Sequence, residues 1–530
     1  MEYDYTQRKD FTSEIYKIQV RNINEKTSTN QFKKFLQGLG VNAKKVKITK
    51  PITFVTFADE NERNKAIEKL KDQKFRNKSL DVKIAKPKAD PCITAMKEKL
   101  DQPVSLEDFY ESIRLSVAPL SKLDYEAQID IKSKNVNEIL SGFLKKLEFP
   151  IKKKYENFQL QEFICSPKVD EYRNKCEFSF GYGYEDSILT IGFKSGKYKD
   201  GATRVALTND LKPVSEQYFS LVKDFEFFLR NDSLGIFQVF DHVNHTGNYK
   251  QIMIRSNSRG EKYVKFLIDP QELDETVLIK FETHIKSWLD SFAEKHLIKQ
   301  FQFSFKRFID SNPIRETTII GDDFILYEKC CNKIFKISPN SFFQVNLQAA
   351  ELLYNRIGQI IAKIKSDKPK VLFDICSGTG TIGQCLEEYV DKVVGIEIVD
   401  EAVKDAEDSA LKNGLKKCSY MCGRAEELID LAVDINKKDF SIIAILDPPR
   451  CGLNSSVIKT IRKCEDIEHL FYVSCDLKAA LPNLNTLMQN ESRRCTGPSF
   501  TLESAQPFDF FPHTTHSEVL FKFKRQQAQD

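Results

Sequence analysis

From Lys370 to the C-terminus, short apolar runs alternate with amphipathic stretches of helical period. KVLFDI, VVGIEI, CSYMC, SIIAILD and HLFYVSC read as strands, each followed by a helical segment. This alternation predicts a parallel sheet covered by helices on both faces, with ligands at the carboxyl ends of its strands. The last apolar run, SEVLFKFK, follows a short strand and a loop, so it is expected to enter the sheet antiparallel. Upstream the periodicity changes. Residues 149–345 are strand-rich with two amphipathic helices, near VSEQYFSLVKDFEFFL and ETVLIKFETHIKSWLDSF, and residues 346–530 hold the βα series. Residues 14–87 read β-α-β-β-α-β: YKIQVRNI, a helix near TNQFKKFLQGL, VKIT, PITFVTF, a helix near ERNKAIEKLK, then SLDVKIA. Residues 88–148 open on the charged, Pro-punctuated KPKADPCITAMKEKLDQP, read as a linker, and continue into a helical stretch.

Composition adds limits. The chain has 530 residues and 41% hydrophobic content with 40 Phe, enough for several buried cores. No apolar run reaches the ~18 residues a membrane span needs, so no membrane association is expected. The start, MEYDYTQRKDFTSE, has neither an apolar signal region nor a basic amphipathic pattern, and the 13 cysteines show no C-x-x-C pair or zinc spacing. These features predict reduced thiols, a cytosolic or nuclear location and no metal; Cys330, Cys331, Cys418 and Cys422 read as small buried hydrophobes. Net charge is only +4, yet residues 14–90 carry 19 Lys and Arg against 9 Asp and Glu. That local excess is a footprint of nucleic-acid binding, a Lys-rich solvated surface being the alternative.

The β-α-β-β-α-β order resembles an RNA-recognition motif, with IQVRNI and KPITFVTF at its two base-stacking segments. The aromatic positions there are depleted: Gln19 and Ile52 occupy two, leaving Phe54, while Phe57 is expected in the core. With one stacking platform, the module is expected to bind RNA chiefly by Lys and Arg contacts to phosphate. A protein-docking use of the same fold is the alternative.

Chemistry concentrates in the C-terminal region. The first strand runs into Asp374-Ile-Cys-Ser-Gly378-Thr-Gly380-Thr-Ile-Gly383, a glycine loop opening a helix, and the second ends at Glu397, suited to ribose hydroxyls. The same spacing satisfies the dinucleotide fingerprint, which leaves NAD open at this point. The fourth strand ends in Asp447-Pro448-Pro449-Arg450, a rigid turn that places a carboxylate against a cofactor and base. An arginine where amine-methylating enzymes place an aromatic residue points toward carbon methylation. Cys475, at the end of the fifth strand, and Glu518, opening the last strand after PFDFFPHTTHS, then supply what methylation of pyrimidine carbon 5 requires. A thiolate adds to C6 so that C5 becomes nucleophilic, and a base afterwards removes the C5 proton. Cys376 and Cys451 are rival thiols, and His513 and His516 are rival bases whose structural reading is to shape the loop.

With LFDICSGTGTIG, VVGIEIVDEAV, LDPPRCGL, FYVSC and FPHTTHSE in this order, the chain resembles the RNA uracil-5-methyltransferase family, eukaryotic members in particular. The resemblance spans roughly residues 150–525. It implies a class I (Rossmann-like) methyltransferase domain, a β-rich α+β middle domain that faces RNA and an N-terminal ferredoxin-like module. It further implies S-adenosylmethionine held by Gln344, Gly378, Gly380, Glu397 and Asp447, with Cys475 as nucleophile and Glu518 as base. Tyr172, Arg173, Asn174 and Lys175 would face RNA, as would Arg450 and Phe54. Gln344 has an alternative as a polar helix cap. The implied substrate is tRNA, at the T-loop uridine 54; a monomer is expected, and no iron–sulfur cluster, since the N-terminal cysteine cluster that holds one in some bacterial relatives is missing. One departure is notable: Asp476-Leu477 follows the nucleophile where family members carry Asn-Pro; loss of the proline is expected to loosen the loop, and a carboxylate beside the thiol to raise its pKa unless a cation such as Arg450 offsets it. Three other readings follow from the residues: a catalytically impaired tRNA-binding chaperone, an NAD-linked oxidoreductase, and methylation of cytosine C5.

Overall fold

The computed structural model describes residues 16–23, 27–49, 52–76, 78–85, 105–149, 151–185, 187–196, 204–208, 210–231, 234–241, 245–307, 310, 312–450, 452–493 and 495–526. The charged stretch Lys86–Pro103 lies outside them. The chain divides into two compact units, one reaching to Ser105 and one built mainly of the chain from Leu106 onward.

In the first unit, β1 (Lys17–Arg21), β2 (Lys45–Thr49), β3 (Ile52–Thr56) and β4 (Asp81–Ile84) form an antiparallel sheet in the order β2-β3-β1-β4. Ser28 and Gln31 close a capping box at the start of α1 (Thr29–Gly38), and Asp59 caps α2 (Glu60–Leu70). Ile18, Val20 and Val55 on the strands meet Phe32, Leu36 and Ala66 on the helices, and Phe57 is buried among them. Residues directly opposite one another share a sheet face. Phe54 pairs with Gln19 on one side and Lys47 on the other, and Gln19 pairs with Lys83, so these four form one row on the face away from that core.

The second unit contains two seven-stranded sheets. The central one runs from Lys175–Tyr182 to Arg315–Ile320 and packs on helices Glu216–Asn231 and Glu275–Phe292 through a Phe-rich core. A hairpin, β5 (Leu326–Cys330) and β6 (Lys333–Ile337), and the helix α5 (Leu347–Ala362) lead into the second sheet. Before both sheets in the chain lie α3 (Leu106–Val117) and α4 (Tyr125–Leu144). These helices are not an appendage of the linker. Phe109 and Ile113 of α3 sit in the central core, while Val136, Leu140 and Leu144 of α4 sit in the core of the C-terminal sheet.

The C-terminal sheet comprises β7 (Lys370–Ile375), β8 (Lys392–Glu397), β9 (Cys418–Cys422), β10 (Ser441–Leu446), β11 (Ile467–Ser474), β12 (Phe500–Phe508) and β13 (Glu518–Arg525). Its order is β9-β8-β7-β10-β11-β13-β12, with β7–β11 parallel and β13 antiparallel to both its neighbours, as the sequence pattern predicts. Every residue of β10, SIIAIL, is buried, as a central parallel strand covered on both faces requires. The strand order reverses between β7 and β10, and this opens a crevice at their carboxyl ends.

Candidate active site

Both residues of the predicted catalytic pair arrive at that edge by register. Ser474 of β11 pairs with Val519 of β13. One step further along each strand lie Cys475 and Glu518, so the nucleophile and the base stand across from each other where the two strands begin to part. Glu518 is buried with one carboxyl oxygen, Oε1, unpartnered. Burial, then the nearby Asp447 carboxylate, raises its pKa well above the ordinary value, with Arg450 opposing. Burial likewise pushes the half-buried Cys475 thiol up to about 12, helped by Glu518 and Asp447 and opposed by Arg450. Thiol, two carboxyls and one guanidinium thus form a single electrostatic cluster.

Of the rival thiols, Cys376 sits in the glycine loop with φ +65° and answers to Glu397 and Asp374 rather than Glu518; burial holds it at about 12. Cys451 lies outside the described residues. Asp476 caps α7 (Leu477–Met488), its Oδ1 accepting from the Ala479 amide at 3.1 Å, and among the largest influences on the thiol the acids are Glu518 and Asp447.

The loop before Glu518 is braced by α4, a relationship that no local pattern in the sequence signals. Lys132 and Asp509 are fully buried and paired at 2.7 Å, and the Lys132 ammonium also donates to the Phe511 carbonyl at 2.9 Å. Gln128 accepts from the His513 amide at 2.7 Å and meets its ring at Nδ1, whose other nitrogen, Nε2, lies 2.6 Å from Asp170. His513, buried and held at φ +66°, therefore shapes the loop; burial lowers its pKa despite Asp170. His516 is exposed beside Phe511.

On the cofactor side, Gly380 needs φ +70° to open the helix α6 (Thr381–Cys385), and a Cβ there would meet the Tyr420 hydroxyl at 2.5 Å. At Gly378, also left-handed, a Cβ would meet nothing within 4 Å, so its backbone faces open space. Buried Asp374 accepts from the Gly383 amide at 2.9 Å, and burial lifts it to about 7, while its Oδ1 and the neighbouring Ser377 hydroxyl are left without partners. Glu397 accepts from the amides of Gly378, Ile398 and Val399 at 3.0, 2.8 and 2.9 Å. Burial raises half-buried Asp447 to about 6. An open glycine cradle, orphaned polar atoms and converging carboxylates suit a ligand with ribose hydroxyls and a cationic group, which S-adenosylmethionine has.

The other predicted residues distribute differently. Helix capping before α5 falls to Asn346, whose side chain accepts from the Ala349 amide, leaving Gln344 free of that role. Gln344 is half-buried, and its carbonyl accepts from the Asn174 side chain at 2.9 Å. Asn174 is thereby a brace between the central sheet and the segment before α5, and Tyr172 is buried with its hydroxyl donating to the Pro512 carbonyl at 3.2 Å. Arg173 and Lys175 line a cavity of about 510 Å³ facing Ser341–Phe343, in which Phe342 is exposed, and Lys175 pairs with Glu177 at 3.0 Å. Of these four neighbours, Tyr172 and Asn174 are thus engaged within the protein, while Arg173 and Lys175 border the cavity.

Residues 306–525 match the family described as tRNA (Uracil-5-)-methyltransferase, and residues 18–81 match the RNA recognition motif. The tRNA (uracil-5-)-methyltransferase homolog A of Mus musculus is 33% identical over 542 residues, spanning 99% of this chain and 87% of its own length. The human homolog A is 32% identical over 540 residues, spanning 99% and 85%. Among solved structures, the Pyrococcus abyssi tRNA (uracil-54, C5)-methyltransferase in complex with S-adenosyl-L-homocysteine shares the fold at a TM-score of 0.55 and 20% identity, covering 76% of this chain and 83% of that one.

Proposed function

The chain belongs to the tRNA (uracil-5-)-methyltransferase family, an S-adenosylmethionine-dependent one, and from that premise we propose that it methylates carbon 5 of the T-loop uridine 54 of tRNA through a covalent Cys475 adduct. The observation that carries the mechanism is the register that sets Cys475 across from Glu518. A flat ring entering between them meets sulfur at C6 and carboxyl at C5.

The steps balance on these two groups. The Cys475 thiol gives up its proton to solvent as an S–C6 bond forms, and the C5–C6 π electrons move toward the O4 oxygen. C5 then takes the methyl, which S-adenosylmethionine would supply when bound as a sulfonium-activated electrophile, its S–CH3 bond breaking to leave S-adenosylhomocysteine. Glu518 removes the C5 proton, the C5–C6 double bond re-forms, and the C6–S bond breaks to return the thiolate. A buried carboxylate with raised proton affinity is the matched acceptor for that proton. Gly378, Gly380, Glu397 and Asp447 would hold the donor, and Gln344 stands beside Asn174 on the entering segment. Arg173, Lys175 and Arg450 would grip phosphates while the uridine is turned out of its stack. Family membership replaces the NAD reading of the glycine loop. We propose a monomer as the working unit and the cytosol or nucleus as its site of action.

The test is mass spectrometry of nucleosides from tRNA incubated with the protein and isotopically labelled S-adenosylmethionine. Labelled 5-methyluridine mapping to the T loop is expected, and its loss in Cys475→Ala with donor binding retained. Label in 5-methylcytidine, or turnover retained by that variant, overturns the assignment.

A further inference from the structure

Three thiols that the reaction does not use meet at the back of the cofactor loop. Cys330 ends β5, Cys331 follows it in the hairpin turn, and Cys385 is the last residue of α6, 55 residues away in sequence. Their sulfurs all lie within 4.8 Å of one another, and those of Cys330 and Cys385 are 4.0 Å apart. Three sulfurs held about 2.3 Å from one ion stand roughly 3.8–4.0 Å from each other, so the trio is already near the spacing that coordination requires. Cys330 and Cys385 are buried, and Cys331 is half-buried, which leaves a way in from solvent. Glu351 fixes the turn that carries Cys331: its Oε1 accepts from the Cys331 amide at 2.7 Å. Apolar packing alone needs no such convergence of sulfur, and the separation between the two sequence positions hides it from any spacing motif.

The geometry points to Cys330, Cys331 and Cys385 as a thiolate site for one soft, thiophilic cation of the zinc(II) class, with a water in the fourth position. Each thiol loses its proton to solvent as its sulfur–metal bond forms. Two of the ligands sit on the β5–β6 hairpin and the third on α6, whose first turn follows Gly380. A bound ion therefore cross-links the hairpin to the helix that carries the cofactor loop. It would stiffen that loop without touching the reacting atoms.

The experiment is anaerobic titration of the reduced full chain with cadmium(II), followed by the thiolate-to-cadmium charge-transfer absorbance, with thermal unfolding at each point. Wild type is expected to take up one equivalent, with a rise in unfolding temperature, that Cys330→Ser and Cys385→Ser both lose and that Cys422→Ser, an exposed thiol elsewhere, keeps. Should the buried substitutions fail to fold, Cys331→Ser, at the half-exposed member, must weaken the same equivalent. Uptake unchanged across Cys331→Ser and Cys385→Ser overturns the proposal. So does peptide mass spectrometry of unreduced protein that finds these thiols joined to each other as a disulfide and no tightly bound equivalent after reduction.

Discussion

Cys475 directly follows Ser474 and Glu518 directly precedes Val519, and Ser474–Val519 is the last pair between two adjacent strands that run in opposite directions. Antiparallel pairing thus brings together residues 43 positions apart in sequence at the edge where ligands of this fold bind. Burial makes both expensive to ionise, and the Glu518 charge makes the thiol more so. Glu518 with its raised pKa contributes stability that is fully present below about 4.5 and lost as pH rises through its folded value. Glu518→Gln removes that loss. The variant is expected to unfold at higher temperature than wild type, by on the order of 1 kcal/mol, with a gain that grows as pH rises above about 4.5. It should also accumulate a covalent RNA adduct, seen as a shifted band in a denaturing gel, because C5 keeps its proton. A variant no more stable than wild type at neutral pH would remove the electrostatic argument.

Arg450 is the charge that lowers the proton affinity of both Cys475 and Glu518. Replacing it by Gln raises both pKa values further. Because the thiolate is the attacking species, the methylation rate of Arg450→Gln should climb with pH along a limb displaced to higher pH. Its rate at neutral pH is expected to fall by about tenfold or less, since Arg450 is exposed. A single-turnover pH–rate profile checks this, and a limb that does not move refutes the coupling.

Asp476 offers the contrasting case. Its carboxylate caps α7 through the Ala479 amide, so Asp476→Ala should cost about 1 kcal/mol of stability by denaturant unfolding. The same variant should leave the pH–rate limb in place. A limb shifted to lower pH would show that this acid, and not only Glu518 and Asp447, burdens the thiol.

The C-terminal strands are legible in the sequence as short apolar runs because the central ones are buried on both faces, and the five motifs fall on one sheet edge because those strands run parallel while the last, antiparallel one starts there. Cys475, Glu518 and the glycine loop could be read there because strand ends carry chemistry in such sheets. Contacts between distant segments left no comparable trace. Lys132 reads as one more polar position of an amphipathic helix, and Gln128 likewise, until α4 is seen against the Glu518 loop. Tyr172 and Asn174 sit among cations in a segment that reads as an RNA surface, yet their partners are the Pro512 and Gln344 carbonyls. The thiol trio was hidden in the same way, two members adjacent and the third far off.

On the first unit, Phe54 is flanked in its row by Lys47 and Gln19, with Lys83 beyond. One aromatic between cations predicts binding dominated by phosphate. Measured on the full chain with single-stranded RNA, Phe54→Ala should cost about 1–2 kcal/mol and leave the salt dependence intact. Lys47→Ala with Lys83→Ala should instead flatten the slope of log affinity against log salt by one to two. Equal slopes in all variants would argue that this face docks protein.

Lys132 and Asp509 test whether α4 positions the catalytic loop. Both are fully buried, so removing one partner strands a charge: Lys132→Met should destabilise the fold by about 3–5 kcal/mol. Burial already pulls the Lys132 ammonium toward neutrality, and Asp509 holds it charged. Replacing both, as Lys132→Met with Asp509→Leu, removes the stranded charge and should recover most of the stability. It does not restore the ammonium's second bond, to the Phe511 carbonyl, or the Asp509 carboxylate that accepts from the Phe511 amide. The loop between them leads into Glu518. The double variant should therefore fold, bind donor and RNA with little change in KM, and show a lowered kcat with slower resolution of the covalent adduct. Full kcat in a stable double variant would reduce the buried pair to a stabilising contact with no hold on the base.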